Sequence, residues 1–355
     1  MDYHFSYRNK NDSVCLILSY KVGKKWKQKT RQGFRTQREA RQHQDELLDE
    51  IKAEAGLTDD TALKDISLRD FFKIFARDKK TALAYNTRKN YYDGIISLGP
   101  AADIPIRDLT TADIVNALMK GDYKPSTRKS RLRFITPVLE HAVKMYNIIK
   151  DNPAKGIKLP QDKTPKVLRA FTRDELTRLL KMLEPWPIRH LMVTIGAGTG
   201  MRFGEIAGLP WSAINWQKQT ISVHQQYAMT GPKTNGITLC KTANSNRTVP
   251  ASPTILKDLA AWHKSHPMTI TGTVFPLDRV LSAKAAINTL IRQEFPGRSF
   301  HSLRHTFATL LLSRTGDVNL VAHILGDTVA TVSAVYVDYT EDINKIAVQA
   351  IGNLY

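Results

Sequence analysis

Short apolar runs separated by basic, turn-forming segments mark the N-terminal part of the chain. Three of these runs have the length and composition of β-strands, and they cover residues 14–20, 26–30 and 33–35. Thr36 and Glu39 then have the spacing of a capping box, which predicts a helix from Thr36 to about Ala55. The pattern predicts a small α+β domain at residues 1–58, formed by a three-stranded sheet and one helix.

Farther along the chain, the apolar spacing changes to three and four residues, as in amphipathic helices. The first such stripe consists of Leu68, Phe71, Phe72, Phe75 and Ala76. Three more helices are predicted to begin near Asn86, after Thr110 and at Ser126, and no strand pattern interrupts them. Polar and proline-containing linkers flank this segment, so we expect an all-α domain at residues 64–155.

The last part of the chain mixes helical patterns with one strand-rich stretch. Thr172 and Glu175 have capping-box spacing, and residues 220–249 contain the strand-like runs. A final stripe at helical spacing consists of Ile343, Ile346, Ala347 and Ile351. We therefore expect a multidomain protein whose third domain, residues 167–355, is mainly α with a small β-sheet.

The chain carries 52 Lys and Arg against 33 Asp and Glu, a formal net charge of +19. Residues 8–41 hold eleven basic and two acidic side chains, and residues 64–160 hold nineteen and ten. Such a surplus favours a polyanion, either nucleic acid or an acidic membrane surface. The apolar stretches are far shorter than a bilayer span, and the N-terminus lacks a signal-peptide core. We expect a nucleic-acid partner, no membrane association and a cytoplasmic location.

The two cysteines, Cys15 and Cys240, do not change this picture. They are too few for a disulfide framework, and the spacing of a four-ligand zinc site is absent. We expect both thiols to be reduced and incidental to function.

Two groups of residues are candidates for DNA contact. Basic strands lie in a DNA groove in some proteins, although a solvated lysine-rich sheet fits the N-terminal pattern equally well. The candidates there are Lys24, Lys25, Lys27, Arg31 and Arg35. In the helical domain, two helix starts combine hydroxyls and cations with free N–H groups, and this repetition favours phosphate contact over ordinary capping. The candidates there are Thr87, Arg88, Lys89, Ser126, Thr127, Arg128 and Arg131.

Four landmarks in the third domain suit phosphoryl chemistry. Arg202 follows a glycine turn at the start of a helix, a position suited to holding an anion. Lys241 lies at the predicted tip of a β-hairpin, which is a weak signal by itself. His301 and Arg304 share one helix face, and Tyr336 follows farther along the chain. Phosphoryl transfer needs positive donors on the nonbridging oxygens and a proton source for the leaving oxygen.

This ordered set resembles the active-site signature of the tyrosine recombinases, over a domain that begins at about residue 167. The two preceding domains resemble the arm-binding and core-binding domains of phage and conjugative-element integrases. The resemblance implies an enzyme that cuts and rejoins DNA to integrate or excise a mobile element, with no metal, cofactor or ATP. It also implies a homo-tetramer on double-stranded DNA with core and arm attachment sites. An excisionase and a host DNA-bending protein are the candidate helpers.

The same resemblance implies a role for each landmark. Arg202 and Arg304 would hold the scissile phosphate with paired N–H donors. Tyr336 would attack phosphorus, leaving a 3′-phosphotyrosyl link and a free 5′-hydroxyl. His301 is the candidate base or hydrogen-bonding partner, and Lys241 is the candidate acid for the departing oxygen.

Asp327 departs from the family pattern, because histidine or tryptophan is usual at its position. An ionised carboxylate repels phosphate, so we expect that Asp327 turns away or is protonated, or that His323 supplies the hydrogen bond instead. Tyr339 is a competing nucleophile, but the spacing from the preceding Leu-Gly pair favours Tyr336. Glu205, one turn past the first arginine, either orients a neighbour or is an ordinary surface carboxylate.

Two other functions remain open at this point. A type IB topoisomerase shares the chemistry, but the arm-like N-terminal domain argues against it. A DNA-binding regulator derived from a recombinase and weakened in catalysis is supported by Asp327 alone. Whether the element is a phage or a conjugative transposon, and which attachment sites it uses, does not follow from the sequence.

Overall fold

The computed structural model describes residues 3–10, 13–22, 25–54, 63, 65–79, 83–160, 170–240, 245–266 and 269–336. The chain divides into two compact units, Met1–Lys163 and Thr164–Tyr355. No helix within the described ranges combines the length and the apolar composition needed to cross a membrane.

The first unit begins with an antiparallel sheet in the order β1-β2-β3. Its strands are β1 (Tyr3–Lys10), β2 (Ser13–Val22) and β3 (Lys25–Phe34). The three-stranded sheet is as predicted, but two strand assignments were wrong. β1 was missed, and residues 26–30 and 33–34 belong to one strand, which ends before Arg35. Gly33, at φ +100°, lies where the β2–β3 register shifts, so this glycine forms a bulge within a strand instead of a turn between two.

Two helices follow the sheet where one was predicted. α1 (Gln37–Gln42) and α2 (Gln44–Glu54) are separated by His43. The predicted capping residue is confirmed, since the Thr36 hydroxyl accepts a hydrogen bond from the Glu39 backbone N–H at 3.2 Å. The reciprocal half of the capping box differs, because the Glu39 carboxylate accepts from the backbone N–H of Arg35 instead of Thr36. Leu47 and Ile51 of α2 pack with the buried face of β2 in a small core.

The rest of the first unit is helical, as predicted. It contains α3 (Leu68–Asp78), α4 (Tyr85–Ile96), a 3₁₀ turn (Gly99–Asp103), α5 (Thr111–Lys120) and α6 (Pro125–Lys144). The predicted stripe on α3 is real, because Leu68, Phe71, Phe72 and Phe75 are all buried. They pack with apolar residues of α4, α5 and α6 in a core of their own. Each predicted helix start lies within one residue of the observed one.

Helices and two small sheets form the second unit. Its helices are α7 (Arg173–Leu183), α8 (Pro187–Thr199), α9 (Phe203–Ala207), a 3₁₀ turn (Trp211–Ala213), α10 (Pro253–Ser265), α11 (Val280–Glu294), α12 (His301–Thr315), α13 (Val318–Leu325) and α14 (Val329–Tyr336). Its strands are β4 (Ile214–Asn215), β5 (Thr220–Val223), β6 (Gln225–Met229), β7 (Asn235–Leu239) and β8 (Arg247–Pro250). The strands pair in the orders β4-β5-β8 and β6-β7. The predicted strand-rich stretch is therefore confirmed.

The core of this unit is built around α8. Leu191, Met192, Val193 and Ile195 of this helix are buried, and α8 contacts α7, α10 and α12. A smaller apolar cluster joins α12, α13 and α14, and it consists of Ala308, Leu312, Val321, Ala322, Leu325 and Val332. These two clusters hold together the helix ends from which the candidate site is formed. The predicted final helix after Tyr336 lies outside the described residues.

Candidate active site

Arg202 lies between α8 and α9, at the helix start that the sequence predicted. Gly200 ends α8 in the left-handed conformation, with φ +66°, and Arg202 is the N-cap residue of α9. The backbone N–H of Arg202 donates to Glu205 Oε2 at 2.8 Å, and its Nη1 donates to Glu205 Oε1 at 3.0 Å. One carboxylate therefore holds both the backbone and the side chain of Arg202.

Glu205 is also half of a buried ion pair. Its side chain and that of Arg247 on β8 are only 3% and 2% exposed, and Arg247 Nη1 and Nη2 donate to the two Glu205 oxygens at 3.1 and 2.8 Å. Burial alone would raise the pKa of Glu205, but the hydrogen bonds and charge of Arg247, together with Arg202, lower it below its usual value. Of its two expected roles, Glu205 therefore has that of orienting its neighbours.

Arg304 is buried on α12 and joins the ends of two other helices. Its Nη1 donates to the Gly200 carbonyl and its Nη2 to the Leu325 carbonyl, both at 2.9 Å. Carbonyls at the C-terminal ends of helices lack intrahelical partners and attract cations, which explains why an arginine lies here. Burial and the positive charge of Arg202 lower the pKa of Arg304 from its ordinary value. The guanidinium nonetheless stays protonated, as arginines in proteins do.

Asp327 binds both arginines. Its Oδ1 accepts a hydrogen bond from Arg202 Nη2 at 2.6 Å, and its Oδ2 accepts one from Arg304 Nη2 at 2.5 Å. The expectation that Asp327 turns away from the site is therefore wrong. The positive charges of the two guanidiniums attract the negatively charged carboxylate into the site. His323, the suggested substitute, is exposed one turn earlier on α13.

His301 and His305 share a face of α12 with Arg304, as the spacing predicted, and the two rings lie edge to face with centroids 4.8 Å apart. Removal from water lowers the pKa of His301, and the charges of Arg304 and Arg202 lower it further. Burial lowers the pKa of His305 to about 4, and the neighbouring His301 is the next largest cause of this lowering. Both imidazoles are therefore neutral near pH 7, and a neutral imidazole accepts a proton.

Tyr336 is the last residue of α14, and Thr328 caps the start of this helix by accepting a hydrogen bond from the Thr331 backbone N–H at 3.1 Å. Val332 of α14 is buried against α12 and α13. The backbone at Tyr336 therefore belongs to a helix that begins just after Asp327. The Tyr336 side chain lies outside the described part of the chain, as do Lys241 and Tyr339, so their roles stay predictions.

Among the candidate DNA contacts of the N-terminal sheet, one arginine is held in ion pairs and others are exposed. Arg31 pairs with Glu46 at 3.1 Å and with Glu50, so it ties β3 to α2. The exposed candidates are Lys27 and Arg35, whereas Lys24 and the Lys25 side chain lie outside the described residues. DNA contact by this group stays a prediction.

In the helical part, several candidate cations are held by neighbours. Lys89 lies 2.7 Å and Arg131 lies 3.6 Å from Asp93, and Arg128 Nη2 donates to the Gly121 carbonyl at 3.3 Å. The remaining candidates, all partly or fully exposed, are Thr87, Arg88, Ser126 and Thr127. Phosphate binding by Lys89 or Arg131 would compete with Asp93, and DNA contact by this group also stays a prediction.

Two residues near the site were missed from the sequence as functional candidates. Arg247 was noted only as part of the strand-rich stretch, although it holds Glu205. Lys284 of α11 lies 4.5 Å from the ring centroid of Phe203, next to Arg202, and its charge helps lower the pKa of His301. No spacing rule connects residues so far apart along the chain, so only the folded structure brings them together.

The arrangement forms one anion-binding site. Two guanidiniums from different helices, Arg202 and Arg304, point their Nη2 atoms at the same carboxylate. Such a pair stabilises the negative charge that develops on a transferring phosphoryl group. The described ranges contain no group of three or more His, Cys, Asp or Glu placed to hold a metal ion.

Comparisons with known proteins agree with this site. The Phage integrase family model matches residues 169–342, and the Arm DNA-binding domain model matches residues 5–51. A tyrosine recombinase XerC-like protein of Caldanaerobacter subterraneus subsp. tengcongensis is 25% identical over 358 residues, which is 90% of each chain. Tyrosine recombinase XerC of Pediococcus pentosaceus is 31% identical over 157 residues, 41% of this chain and 48% of that protein.

Solved structures share the fold. The Tn1549 transposon integrase in complex with transposon right end DNA has a TM-score of 0.66 and 16% identity, covering 81% of this chain and all of that chain. A lambda integrase dimer bound to a COC′ core site has a TM-score of 0.57 and 17% identity, covering 92% and 93%. At these identities the likeness shows the fold: an N-terminal three-stranded sheet, a helical region and a mainly α region with small sheets.

The fold, the paired arginines and the order of the two family matches define an enzyme that breaks and rejoins DNA strands. The chain belongs to the tyrosine site-specific recombinases.

Proposed function

We propose that this recombinase is an integrase that cleaves and rejoins DNA through a 3′-phosphotyrosyl link to Tyr336, and that it integrates and excises a mobile element. The convergence of Arg202 and Arg304 carries the proposal, since their Nη2 atoms lie 2.6 and 2.5 Å from the two oxygens of one carboxylate. The two nonbridging oxygens of a phosphodiester need the same kind of paired donors. The segment that supplies the carboxylate, at Asp327, continues into the helix that ends at Tyr336.

The reaction conserves the number of phosphodiester bonds. The Tyr336 phenolate oxygen attacks phosphorus, the bond from phosphorus to the 5′-oxygen breaks, and a 3′-phosphotyrosyl link remains. The phenol proton passes to a base, for which His301 is our candidate, and Lys241 protonates the departing 5′-oxygen. Attack by a second strand's 5′-hydroxyl reverses these steps and rejoins DNA without ATP.

The protonation state of His301 supports its role as base. Its pKa lies below the ordinary histidine value, because of removal from water and the charges of Arg304 and Arg202. The ring is therefore neutral at pH 7 and has a lone pair with which to accept the phenol proton. Two guanidiniums at the phosphate also favour the phenolate, since positive charge lowers the pKa of a phenol.

The domain organisation that we propose divides DNA binding between two N-terminal domains. Residues 1–58 would bind arm-type sites, residues 64–155 would bind the core site, and residues 167–355 would catalyse strand transfer. Three separate apolar cores, around Leu16, Phe71 and Ile195, support this division. The match to an arm DNA-binding domain model supports the first assignment. An arm domain lets one protomer bridge two kinds of DNA site.

Four protomers are the working assembly in this proposal. A lambda integrase tetramer bound to a Holliday junction shares the fold, with a TM-score of 0.55 and 15% identity over 89% of this chain. Recombination cuts both strands of two duplexes, which makes four breaks. Each break needs its own tyrosine nucleophile. An excisionase and a host DNA-bending protein would set the direction of the reaction.

The test is covalent capture from a pool of duplexes. Each duplex carries a random segment and a nick close to it. After cleavage, the short strand with the free 5′-hydroxyl diffuses away from the nick. Rejoining is then impossible, so the covalent link to protein persists. We expect wild type to enrich a sequence family in complexes that survive denaturation. Tyr336→Phe should capture no DNA, whereas Tyr339→Phe should capture as wild type does.

The other outcomes separate the alternatives. If wild type binds the pool but never captures it, the chain is a regulator and the proposal fails. Capture without sequence preference, together with relaxation of any supercoiled plasmid, would instead indicate a topoisomerase. Equal capture by wild type and Tyr336→Phe would show that the nucleophile is another residue.

A further inference from the structure

The clearest unexplained feature of the second unit is the carboxylate between the two catalytic arginines. We propose that Asp327 is an internal stand-in for the scissile phosphate, which holds Arg202 and Arg304 together until DNA arrives and must leave for the phosphate to bind. This inference rests on the proposed function, because it takes these two arginines as the phosphate-binding pair.

The geometry is that of a bound oxyanion. The two Asp327 oxygens accept hydrogen bonds from Nη2 atoms of two different arginines, at 2.6 and 2.5 Å. Arg304 is 3% exposed and Asp327 is 19% exposed, so this contact is mostly shielded from water. A single anion therefore bridges the two cations at the place where a phosphate with two nonbridging oxygens would also bridge them.

The hydrogen-bond donors of Arg304 Nη2 cannot serve both anions at once. Arg304 Nη2 carries two hydrogens, and both are used, one by the Leu325 carbonyl at 2.9 Å and one by Asp327. Arg202 is already engaged through Nη1 with Glu205. A phosphate that bridges the same Nη2 atoms must therefore replace Asp327, and an ionised carboxylate left beside it would repel it.

The carboxylate also has a role before DNA binds. Two adjacent guanidiniums repel each other, and the charge of Arg202 is one cause of the lowered pKa of Arg304. An anion between them removes this repulsion and keeps both side chains in the clamp arrangement. Asp327 is therefore a positioning residue for the arginines as well as a competitor of their ligand.

Asp327 lies close in the chain to the helix that carries Tyr336, so its release from the arginines can affect the nucleophile. It lies in a short turn between α13, which ends at Leu325, and α14, which ends at Tyr336. Gly326 in this turn has φ +67°, a conformation that glycine adopts without strain. Release of Asp327 changes this turn, so arrival of the phosphate would be transmitted to the helix that carries Tyr336.

The first experiment needs neither DNA nor cleavage. Asp327→Asn keeps the shape of the side chain but removes its charge, so the arginine pair loses its anion. We expect the variant to have a lower Tm than wild type, and inorganic phosphate to restore it at constant ionic strength, with binding about tenfold or more tighter than to wild type. The matched control is Asp317→Ala, which removes the N-cap of α13 and lowers Tm without involving the arginines. Phosphate should not rescue this control.

Further variants show whether the phosphate rescue depends on the arginine pair. The double variant Asp327→Asn/Arg202→Ala should lose the phosphate rescue, because one half of the anion site is gone. If phosphate stabilises wild type and Asp327→Asn equally, or rescues Asp317→Ala as well, the carboxylate is not a stand-in and the inference fails. If Asp327→Asn simply fails to fold, Asp327→Ser with the same phosphate titration provides the same comparison.

A second readout separates this inference from the proposed function. In the covalent capture assay, Asp327→Asn should reach half-maximal rate at a lower DNA concentration than wild type, because the phosphate no longer competes with a carboxylate. Phosphate rescue without any Tyr336-dependent capture by wild type would overturn the proposed function but leave the anion site intact. Capture by wild type without phosphate rescue of Asp327→Asn would overturn only the inference drawn here.

Discussion

Replacing Arg247 by methionine tests the arginine framework behind the active site. Arg247 makes two hydrogen bonds to Glu205 and a third from Nε to the Ile324 carbonyl at 2.8 Å. It therefore supports Arg202 through Glu205 and the end of α13 through Ile324. Methionine has a similar length and fills most of the space, so the substitution removes charge and hydrogen bonds more than packing.

The expected destabilisation is large because the buried Glu205 carboxylate would lose its buried partner and keep only Arg202, whose side chain is 36% exposed. Breaking a buried ion pair by removing one partner costs about 3–5 kcal/mol. The Ile324 carbonyl would lose its donor as well, adding about 1 kcal/mol. We expect Arg247→Met to lower the free energy of unfolding by about 4–6 kcal/mol. The double variant Glu205→Gln/Arg247→Met removes both charges. Its loss of stability should therefore be about 3 kcal/mol smaller than the sum of the two single losses.

Urea unfolding followed by tryptophan fluorescence is the suitable assay. Trp26 lies in the first unit and the other four tryptophans of the chain lie in the second, so a Trp26→Phe background reports on the second unit alone. The control is Arg314→Met, at the exposed end of α12, which should change stability by less than about 0.5 kcal/mol. If Arg247→Met changes stability no more than this control, or if the two single effects simply add, then the pair is not the buried support described here.

Three further predictions concern other positions. The folded-state pKa of His305, about 4, lies below its ordinary value of 6.5, so stability is fully present above pH 6.5 and is lost towards pH 4, by about 1–2 kcal/mol for a ring that solvent partly screens. His305→Asn should therefore make the fall of Tm over this pH range shallower. Asn152→Ala removes a buried side chain that bonds three groups and should cost about 2–4 kcal/mol in urea unfolding, whereas the exposed Asn116→Ala in α5 should stabilise slightly, by about 0.5 kcal/mol, through helix propensity. Gly200→Ala would place a Cβ 2.6 Å from the Phe307 ring at a positive φ, so its Tm should fall clearly, and an unchanged Tm would contradict this packing.

Local signals in the sequence predicted much of the fold. The capping residues Thr36, Thr110 and Thr172 each precede a helix, and the stripe that begins at Leu68 is buried as its spacing indicated. Such signals depend on neighbours a few residues away, so they can be read from a single chain. The missed strand β1 shows the limit. Tyr3, Phe5 and Tyr7 alternate with polar residues, which is a local strand pattern, but this run is short and its Phe5 and Tyr7 are only partly buried against β2.

The candidate site was predictable only in part, for a related reason. Arg202, His301 and Arg304 were identified because helix starts and three-and-four spacing mark them locally. The contacts that orient them are between residues far apart in the chain, such as Glu205 with Arg247 and Arg202 with Asp327. The Asp327 contact differs from the expectation because Arg202 and Arg304, which only the fold brings together, both attract this carboxylate.

In the proposed reaction, Tyr336 becomes linked to the 3′-phosphate of a cleaved DNA strand held by two arginines. Tandem mass spectrometry of the captured complex, after digestion of protein and DNA, measures this directly. We expect a nucleotide attached through its 3′-phosphate to the peptide that contains Tyr336, with a free 5′-hydroxyl on the released strand. A 5′-phosphate linkage, or attachment to any other side chain, would contradict it.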